Sequence, residues 1–319
     1  MVNSVIIGTG SYLPEKVLKN SELEKIVDTS DEWIATRTGI KQRHIAKDDE
    51  KTSDMATMAA KEALENAGVN KDDVDLIVVA TTTPDNTFPS TAVHVQAALG
   101  IKGGAAFDVQ AVCTGFVYAM SVADSFIKTG QAKTVLVIGA DKMSCILDWQ
   151  DRNTCVLFGD GAGAVVLQGS NDENRGVIYS KLNSDGAYSD ILNTSGGVSS
   201  NGISGKVQMQ GQEVFKHAVS KMTQSVKDAL KAKGLGVNDV AAFIPHQANA
   251  RILDMVAKKL KISNNKVVSM VAEHANTSAA SIPLAMADAD KKGRFEKEQL
   301  VVLTAIGGGL TWGTCLLKW

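Results

Sequence analysis

The sequence predicts an α/β protein made of two related halves, residues 1–170 and 171–319. Internal similarity is the first reason. With KEALENAGVNKDDVDLIVVA, from Lys61, laid over KDALKAKGLGVNDVAAFIPH, from Lys227, residues Ala63, Leu64, Gly68, Asp73 and Val74 meet Ala229, Leu230, Gly234, Asp239 and Val240. The same alignment sets VLVIGA, from Val135, against VVLTAI, from Val301. Self-similarity over such a span indicates duplicated supersecondary structure. Alternation is the second reason. Short continuous apolar runs, as in strands buried on both faces, alternate with longer stretches of helical period. That order predicts mostly parallel sheets covered by helices.

In the first half the pattern predicts strand 3–8, helix 54–67, strand 75–80, helix 90–99, strand 105–109, helix 113–129, and strands 133–139 and 162–168. Ser53 or Asp54 is placed to cap the helix at 54–67 and Gly68 to end it, and Gly100 and Gly130 close the next two. The second half repeats the order with strands 176–183, 240–245, 266–270, 299–305 and 311–318, and helices 212–233, 247–260 and 277–291.

Composition excludes several function classes. Hydrophobic residues make up 44% of the 319 residues, enough for a sizeable core. With 33 basic and 35 acidic residues the formal net charge is −2, so no global basic field draws the chain to nucleic acid. No apolar run approaches the ~20 residues needed to span a bilayer, and MVNSVIIGTG lacks the basic and long apolar segments of a secretory signal. A cytoplasmic protein with neither membrane nor nucleic-acid partner is expected. Cys113, Cys145, Cys155 and Cys315 are widely spaced, with no CxxC pair and no Cys/His grouping at zinc-ligand spacing, which predicts reduced thiols and no metal. The glycine-rich stretches GTGSYLP (8–14) and FGDGAGA (158–164) fit neither GxGxxG nor GxxxxGK followed by Ser or Thr. Turns and close packing account for their glycines.

Cys113, in FDVQAVCTGF (107–116), sits where an apolar strand runs into a helix. A buried free cysteine acting as a small hydrophobe has the same local signature. The functional reading is a nucleophile, because unpaired amides and the positive end of a helix favour thiolate over thiol. His246, in PHQAN, and Asn276, in HANTSAAS, also follow predicted strands. In α/β sheets ligands bind beyond the carboxyl ends of the strands, so all three fall on the functional edge. His44, His94 and His217 have no such context and read as structural. Asn276 is also a candidate helix cap, and His274 a candidate second catalytic histidine.

Seven strings in order span nearly the whole chain: DEWIATRTGIKQRH from Asp31, FPS from Phe88, AVCTGF from Ala111, DRNTCVLFGDGAGAVVL from Asp151, PHQANARI from Pro245, HANTSAASIP from His274 and GGGLTWG from Gly307. Together they resemble the thiolase-fold condensing enzymes, in particular the beta-ketoacyl-acyl carrier protein synthase III family. That resemblance implies a thiolase-like fold, with two βαβαβαββ halves in five α-β-α-β-α layers. It implies a homodimeric acyltransferase that condenses a short acyl-CoA, acetyl-CoA in the first place, with malonyl-acyl carrier protein to start fatty acid synthesis, with no cofactor. Elongating relatives carry two histidines and thiolases a second cysteine, so Asn276, ranked above His274, points to the type III enzymes.

By the same resemblance Cys113 carries the acyl group, the N–H groups of Cys113 and Gly308 form an oxyanion hole, and His246 and Asn276 stabilise an enolate. Trp33, Arg37 and Arg152 resemble the clamp on the coenzyme A nucleotide, and Asn249 the contact to its pantetheine arm. Trp33 and Arg37 share a face if their stretch is helical; a half-buried tryptophan beside a surface arginine is the plainer alternative. Phe88 resembles the residue that a partner subunit inserts into the acyl pocket. Arg251 and Lys258, seven apart, with Lys259 and Lys261 nearby, form a basic helix face suited to an acidic carrier protein; a solvated charged face has the same pattern. Two departures bear on chain-length preference: Ala275 stands where glycine is usual and Val112 where alanine is common. The other readings are a related synthase of alkylquinolone-like or polyketide products, an acyltransferase without condensation, and a noncatalytic acyl-thioester binding subunit.

Overall fold

The computed structural model describes residues 2–319. β1 (Asn3–Tyr12) is followed by a hairpin of β2 (Lys16–Lys19) and β3 (Gln42–Ile45), which encloses α1 (Asn20–Leu23) and α2 (Asp31–Thr38). Then come α3 (Thr52–Ala67), β4 (Leu76–Ala80), α4 (Thr91–Leu99), β5 (Ala105–Val109), α5 (Gly115–Lys128), β6 (Thr134–Lys142) and β7 (Asp160–Ser170). The first sheet has the order β1-β7-β6-β4-β5. β8 (Gly176–Ser184) precedes a short hairpin of β9 (Leu192–Thr194) and β10 (Val207–Met209). α6 (Gly211–Ala232), β11 (Val240–Pro245), α7 (Ala250–Leu260), α8 (Val271–His274), α9 (Ser281–Lys291), β12 (Leu300–Gly307) and β13 (Thr311–Lys318) complete the chain. The second sheet has the order β11-β12-β13-β8.

Strand periodicity builds the layers. In β4, Leu76 and Val78 face a core shared with α5 and α9, whereas Ile77 and Val79 face one shared with α3 and α4. In β12, Val301 and Leu303 join the same central core, and Val302 packs outward with Met222 of α6 and Val256 of α7. Five layers result, α3/α4, sheet, α5/α9, sheet, α6/α7. α5 lies between two sheets, so Phe116, Val117, Met120 and Ile127 are all buried, each contributing about 1.5–3 kcal/mol of transfer free energy. Gly163 of the glycine-rich stretch lets α9 approach the first sheet: a Cβ there would lie 2.6 Å from Leu284 N.

Read in corresponding order, β8-β13-β12-β11 repeats β1-β7-β6-β4, and the counterpart of β5 is what differs. The predicted strand 266–270 is not formed. It makes one bridge, Val267 to Phe243, with Val268 N–H donating to Phe243 O at 2.9 Å. Gln247 replaces the rest of the ladder. Its Nε2 donates to Pro245 O (2.7 Å) and Val268 O (3.2 Å), and its Oε1 accepts from Met270 N (2.8 Å).

The sheets are mixed rather than mostly parallel. β4 runs parallel to β5 and β6, and β11 to β12, but the β1/β7, β6/β7, β12/β13 and β13/β8 pairs are antiparallel. β12 returns as β13 through the turn 308–310, too short for the crossover a parallel pair needs. α3 starts at Thr52, with Lys51 at its N-cap instead of Ser53 or Asp54. The Lys51 N–H donates to Asp54 Oδ2 at 2.9 Å, while Ser53 N–H turns to Asp85. Gly68 and Gly100 end α3 and α4 as expected, and Gly130 lies one residue past the cap of α5.

Candidate active site

Cys113 stands where two cavities meet. The larger, about 540 Å³, is lined by Cys113, His246 and Asn276 together with Arg37, Asn249 and Arg251. The smaller, about 130 Å³, is an apolar chamber beside Val112, Met143, Ile146 and Val207; Cys113, Phe158 and Leu192 line both.

The helix expected from residue 113 begins at Gly115, and Cys113 occupies a 3₁₀ turn, Val112–Thr114, ahead of it. Val112 has φ +49°, a left-handed conformation that a β-branched residue adopts only under constraint. Thr311 Oγ1 donating to Ala111 O (2.9 Å) and Thr114 Oγ1 donating to Thr311 O (3.1 Å) brace this corner against β13. Gly307 is needed beside it, since a Cβ there would lie 2.8 Å from Cys113 N. Among the described residues neither Cys113 N–H nor Gly308 N–H donates to a protein acceptor. The thiol does not rest as the thiolate expected from its place before a helix. Burial pushes it up to about 12, and the apolar surroundings outweigh the helix end.

His246 follows β11, with its N–H donating to Thr304 O at 2.8 Å. The ring is 2% exposed, and burial pulls its pKa down to about 3, so the imidazole is neutral at physiological pH. Nδ1 lies 2.7 Å from Ser281 Oγ.

Asn276 is stitched to the first half of the chain: its N–H donates to Leu157 O (2.9 Å) and its carbonyl accepts from Gly159 N (3.0 Å). Oδ1 accepts from Ser278 N–H at 2.9 Å, a local turn rather than the expected helix cap, since Thr277 is the N-cap of the Ser278–Ala280 turn; no hydrogen bond among the described residues engages Nδ2, and Asn276 lines the cavity. The helix expected over 277–291 is a 3₁₀ turn, Ser278–Ala280, followed by α9. Ala275 has φ +57° and ψ −157°, a conformation natural to glycine, and its methyl packs away from the cavity with Ile34, Ile40 and Cys155. Val112 does line the acyl-sized chamber, so of the two departures it is the one that shapes the pocket.

His274 does not line either cavity. Its ring meets His44 edge-on at 6.2 Å, and burial lowers its pKa to about 4. His44 bonds Pro14 O, His94 bonds Asn86, and His217 stacks on Tyr188, all consistent with structural duty.

The stretch carrying Trp33 and Arg37 is helical, α2, capped by Ser30. Arg37 Cζ lies 4.8 Å and Arg152 Cζ 5.0 Å from the Trp33 ring centroid, so the three side chains are gathered together, and of the three Arg37 lines the cavity. The helix expected from 247 starts at Ala250, because Asn249 caps it: Asn249 Oδ1 accepts from Ile252 N at 3.0 Å, and the residue also lines the cavity. Arg251, Lys258 and Lys259 are exposed along α7, with Arg251 at the cavity. Phe88 is 83% exposed and does not line the cavity of its own chain.

Sequence reasoning passed over Asp141, a buried carboxylate. Its Oδ1 accepts from Thr81 Oγ1, Thr82 N, Thr83 N and Thr83 Oγ1, and its Oδ2 from Ala279 N, fastening the 278–280 turn to β6. It also passed over Ser281 and Leu192. Ser281 lies within HANTSAASIP, but nothing in that string marks its hydroxyl, and no period or motif marks Asp141 or Leu192.

The family described as 3-oxoacyl-(acyl-carrier-protein) synthase III matches residues 107–186, and its C-terminal counterpart matches residues 230–319. The beta-ketoacyl-(acyl-carrier-protein) synthase III of Ehrlichia canis is 58% identical over 318 residues, covering 100% of both chains. The crystal structure of the Aquifex aeolicus 3-oxoacyl-(acyl-carrier-protein) synthase III superposes with a TM-score of 0.95 at 50% identity, covering 99% of this chain and 100% of that one. A priming beta-ketosynthase from the R1128 polyketide pathway superposes with a TM-score of 0.93 at 34% identity, covering 99% and 96%. With such identity over its full length, and with the cysteine, histidine and asparagine gathered on one cavity, the chain belongs to the 3-oxoacyl-(acyl-carrier-protein) synthase III family.

Proposed function

We propose that this protein condenses a short acyl-CoA, acetyl-CoA first, with malonyl-acyl carrier protein, giving a 3-oxoacyl-acyl carrier protein and carbon dioxide, the opening step of fatty acid synthesis. The observation that carries this reading is the convergence of a buried thiol, His246 and Asn276 on one cavity, the ring neutral and the Asn276 amide oxygen already bonded.

In the first step Cys113 Sγ attacks the thioester carbonyl and the bond to coenzyme A sulfur breaks, the proton leaving with the coenzyme A thiol. The N–H groups of Cys113 and Gly308 hold the transient oxyanion. The malonyl thioester then loses its carboxylate as carbon dioxide, and the electron pair passes into an enolate whose oxygen accepts from His246 Nε2–H and Asn276 Nδ2–H. Finally the enolate carbon attacks the acyl carbonyl, the C–S bond breaks, and Cys113 regains a proton. No cofactor is consumed.

The chamber of about 130 Å³ beside Cys113 supports a short primer, and the Trp33–Arg37–Arg152 cluster, joined to the cavity through Arg37, supports nucleotide binding. A second copy of the chain completes the pocket. Exposed Phe88, and the unpaired edge of β5 at the end of its sheet, support that assembly. Among the described residues no helix is long and apolar enough to cross a membrane, and the four cysteines are free, which supports a reducing compartment. The likeness to a polyketide priming synthase favours, as a second reading, the same chemistry with the carrier protein of another pathway.

Intact-protein mass spectrometry after acetyl-CoA exposure tests the proposal. Wild type should gain one acetyl group, Cys113→Ser none, and acylated wild type should release carbon dioxide from malonyl-acyl carrier protein. Stable labelling of Cys145, Cys155 or Cys315 in its place would overturn it.

A further inference from the structure

We propose that Ser281 is a positioning residue for the malonyl step: its hydroxyl donates to His246 Nδ1 and fixes the imidazole as the tautomer with its proton on Nε2. The inference rests on the reading of His246 as an enolate donor, since a neutral imidazole can donate from Nε2 only if Nδ1 is the acceptor nitrogen.

Ser281 opens α9 and is 2% exposed, so its hydroxyl must find its partners inside the protein. Two groups face Oγ. Gln247 N–H lies at 3.3 Å and can only donate to it. His246 Nδ1 lies at 2.7 Å and can either donate or accept. If Nδ1 carried the proton, Oγ would accept twice and its own buried proton would have no acceptor, an arrangement that costs free energy. If the hydroxyl donates to Nδ1, every group is satisfied. Gln247 then orients the serine oxygen, the serine proton occupies Nδ1, and the imidazole proton is left on Nε2. No hydrogen bond of the described residues engages Nε2, and His246 lines the cavity that also holds Cys113 and Asn276. The positive end of α9 adds to this, because it disfavours a protonated ring beside it.

Asn276 is treated the same way, its acceptor atom tied to Ser278 N–H and its donor left free. Ser281 does for the histidine what that backbone bond does for the asparagine.

Nitrogen-15 NMR of full-length protein with labelled histidine, at neutral pH, reads the tautomer. Wild type should show His246 Nδ1 unprotonated and Nε2 protonated, and a protonated Nδ1 overturns the proposal. Ser281→Ala should give mixed tautomers and slow malonyl decarboxylation roughly tenfold, the effect of one lost neutral hydrogen bond, while acetyl transfer to Cys113 keeps its rate. Ser281→Thr, which keeps the hydroxyl, should restore both the tautomer and the rate. Parallel loss of acetyl transfer, decarboxylation and thermal stability in Ser281→Ala with the tautomer unchanged would reduce Ser281 to a structural residue and overturn the proposal. His246→Ala separates the two ideas. If it decarboxylates like wild type, the donor reading of His246 fails and the role of Ser281 with it; if it loses the step while Ser281→Ala does not, only the present inference fails.

Discussion

The corner that presents Cys113 and the corner that presents Asn276 follow corresponding places in the two halves, yet different forces hold them. β5 reaches Cys113 along a full parallel ladder with β4, from Leu76↔Ala105 to Ala80↔Val109. The segment 266–270 has one bridge to β11, and the Gln247 amide supplies the remaining bonds. The ladder fixes the backbone as far as Val109, four residues before Cys113. A side-chain staple holds the second segment only as far as Met270, and so lets α8 carry Asn276 across to Leu157 and Gly159. Both corners carry a strained residue just before the candidate side chain, Val112 before Cys113 and Ala275 before Asn276, a conformation that costs of order 1–3 kcal/mol each. The first corner provides a thiol whose chemistry burial suppresses at rest. In the second, the Asn276 Oδ1 is already bonded to Ser278 N–H.

If the corners divide the reaction in this way, His246→Ala and Asn276→Ala should each lower malonyl decarboxylation by roughly 10²–10³, the usual loss for a donor to a developing oxyanion, with acetylation of Cys113 still measurable. Single-turnover assays of the two half reactions provide the readout; equal loss of both would dissolve the division.

A smaller effect sharpens the contrast between ladder and staple. Gln247→Ala leaves Pro245 O, Val268 O and Met270 N–H without their side-chain partner in buried surroundings, and should lower the unfolding free energy by about 2–4 kcal/mol. Urea titration measures this. A change no larger than that of an exposed glutamine would show that packing alone holds the segment.

The neutral histidine after β11, which shares the cavity with both corners, makes stability depend on pH. His246 has a native pKa of about 3, below its ordinary 6.5, so the unfolded chain binds a proton that the folded chain refuses between those values. Its contribution is full above pH 6.5 and is lost progressively as pH falls toward 3. Near pH 5.5 the loss is roughly 1–2 kcal/mol, and His274, lowered to about 4, acts in the same direction. Unfolding midpoints at pH 7 and 5.5 should separate in wild type and draw together in His246→Gln. Parallel midpoints in both proteins would mean that the ring is not buried neutral.

The smallest expected effect lies outside both corners. Glutamate at both Arg251 and Lys258 should raise the KM for malonyl-acyl carrier protein roughly 5–10-fold at low salt, and the difference should shrink at high salt. A small malonyl thioester run in parallel provides the control. If it suffers alike, α7 or the cavity has been damaged and the basic face is only a solvated one.

Much of this architecture is legible in the residues because its signals are local. Apolar runs mark β4, β6, β11 and β12 whatever surrounds them, and glycine ends α3 and α4 for reasons internal to the chain. The 266–270 run has the same apolar look as β5 and still forms no ladder, because a glutamine some twenty residues earlier occupies its hydrogen-bonding groups. Helices begin later than expected beside Cys113, His246 and Asn276 for a related reason: each of these residues sits in an irregular turn held by long-range bonds from Thr311, Thr304 and Leu157. The same seven motifs that located the site also contained Ser281, but nothing in a serine's neighbours along the chain tells that its hydroxyl meets an imidazole.

The sequence alone determined the α/β alternation and the internal repeat and singled out Cys113, His246 and Asn276 as candidates, since periodicity, self-similarity and placement after apolar runs are properties of short stretches. Tertiary structure decided what state those groups are in. Burial holds the Cys113 thiol protonated and the His246 ring neutral, and bonds between distant segments, Asn276 N–H to Leu157 O and Gly159 N–H to Asn276 O, bring Asn276 to the same cavity. Desolvation and hydrogen-bond pairing depend on which atoms the fold brings together, and that arrangement cannot be read from the order of residues along the chain.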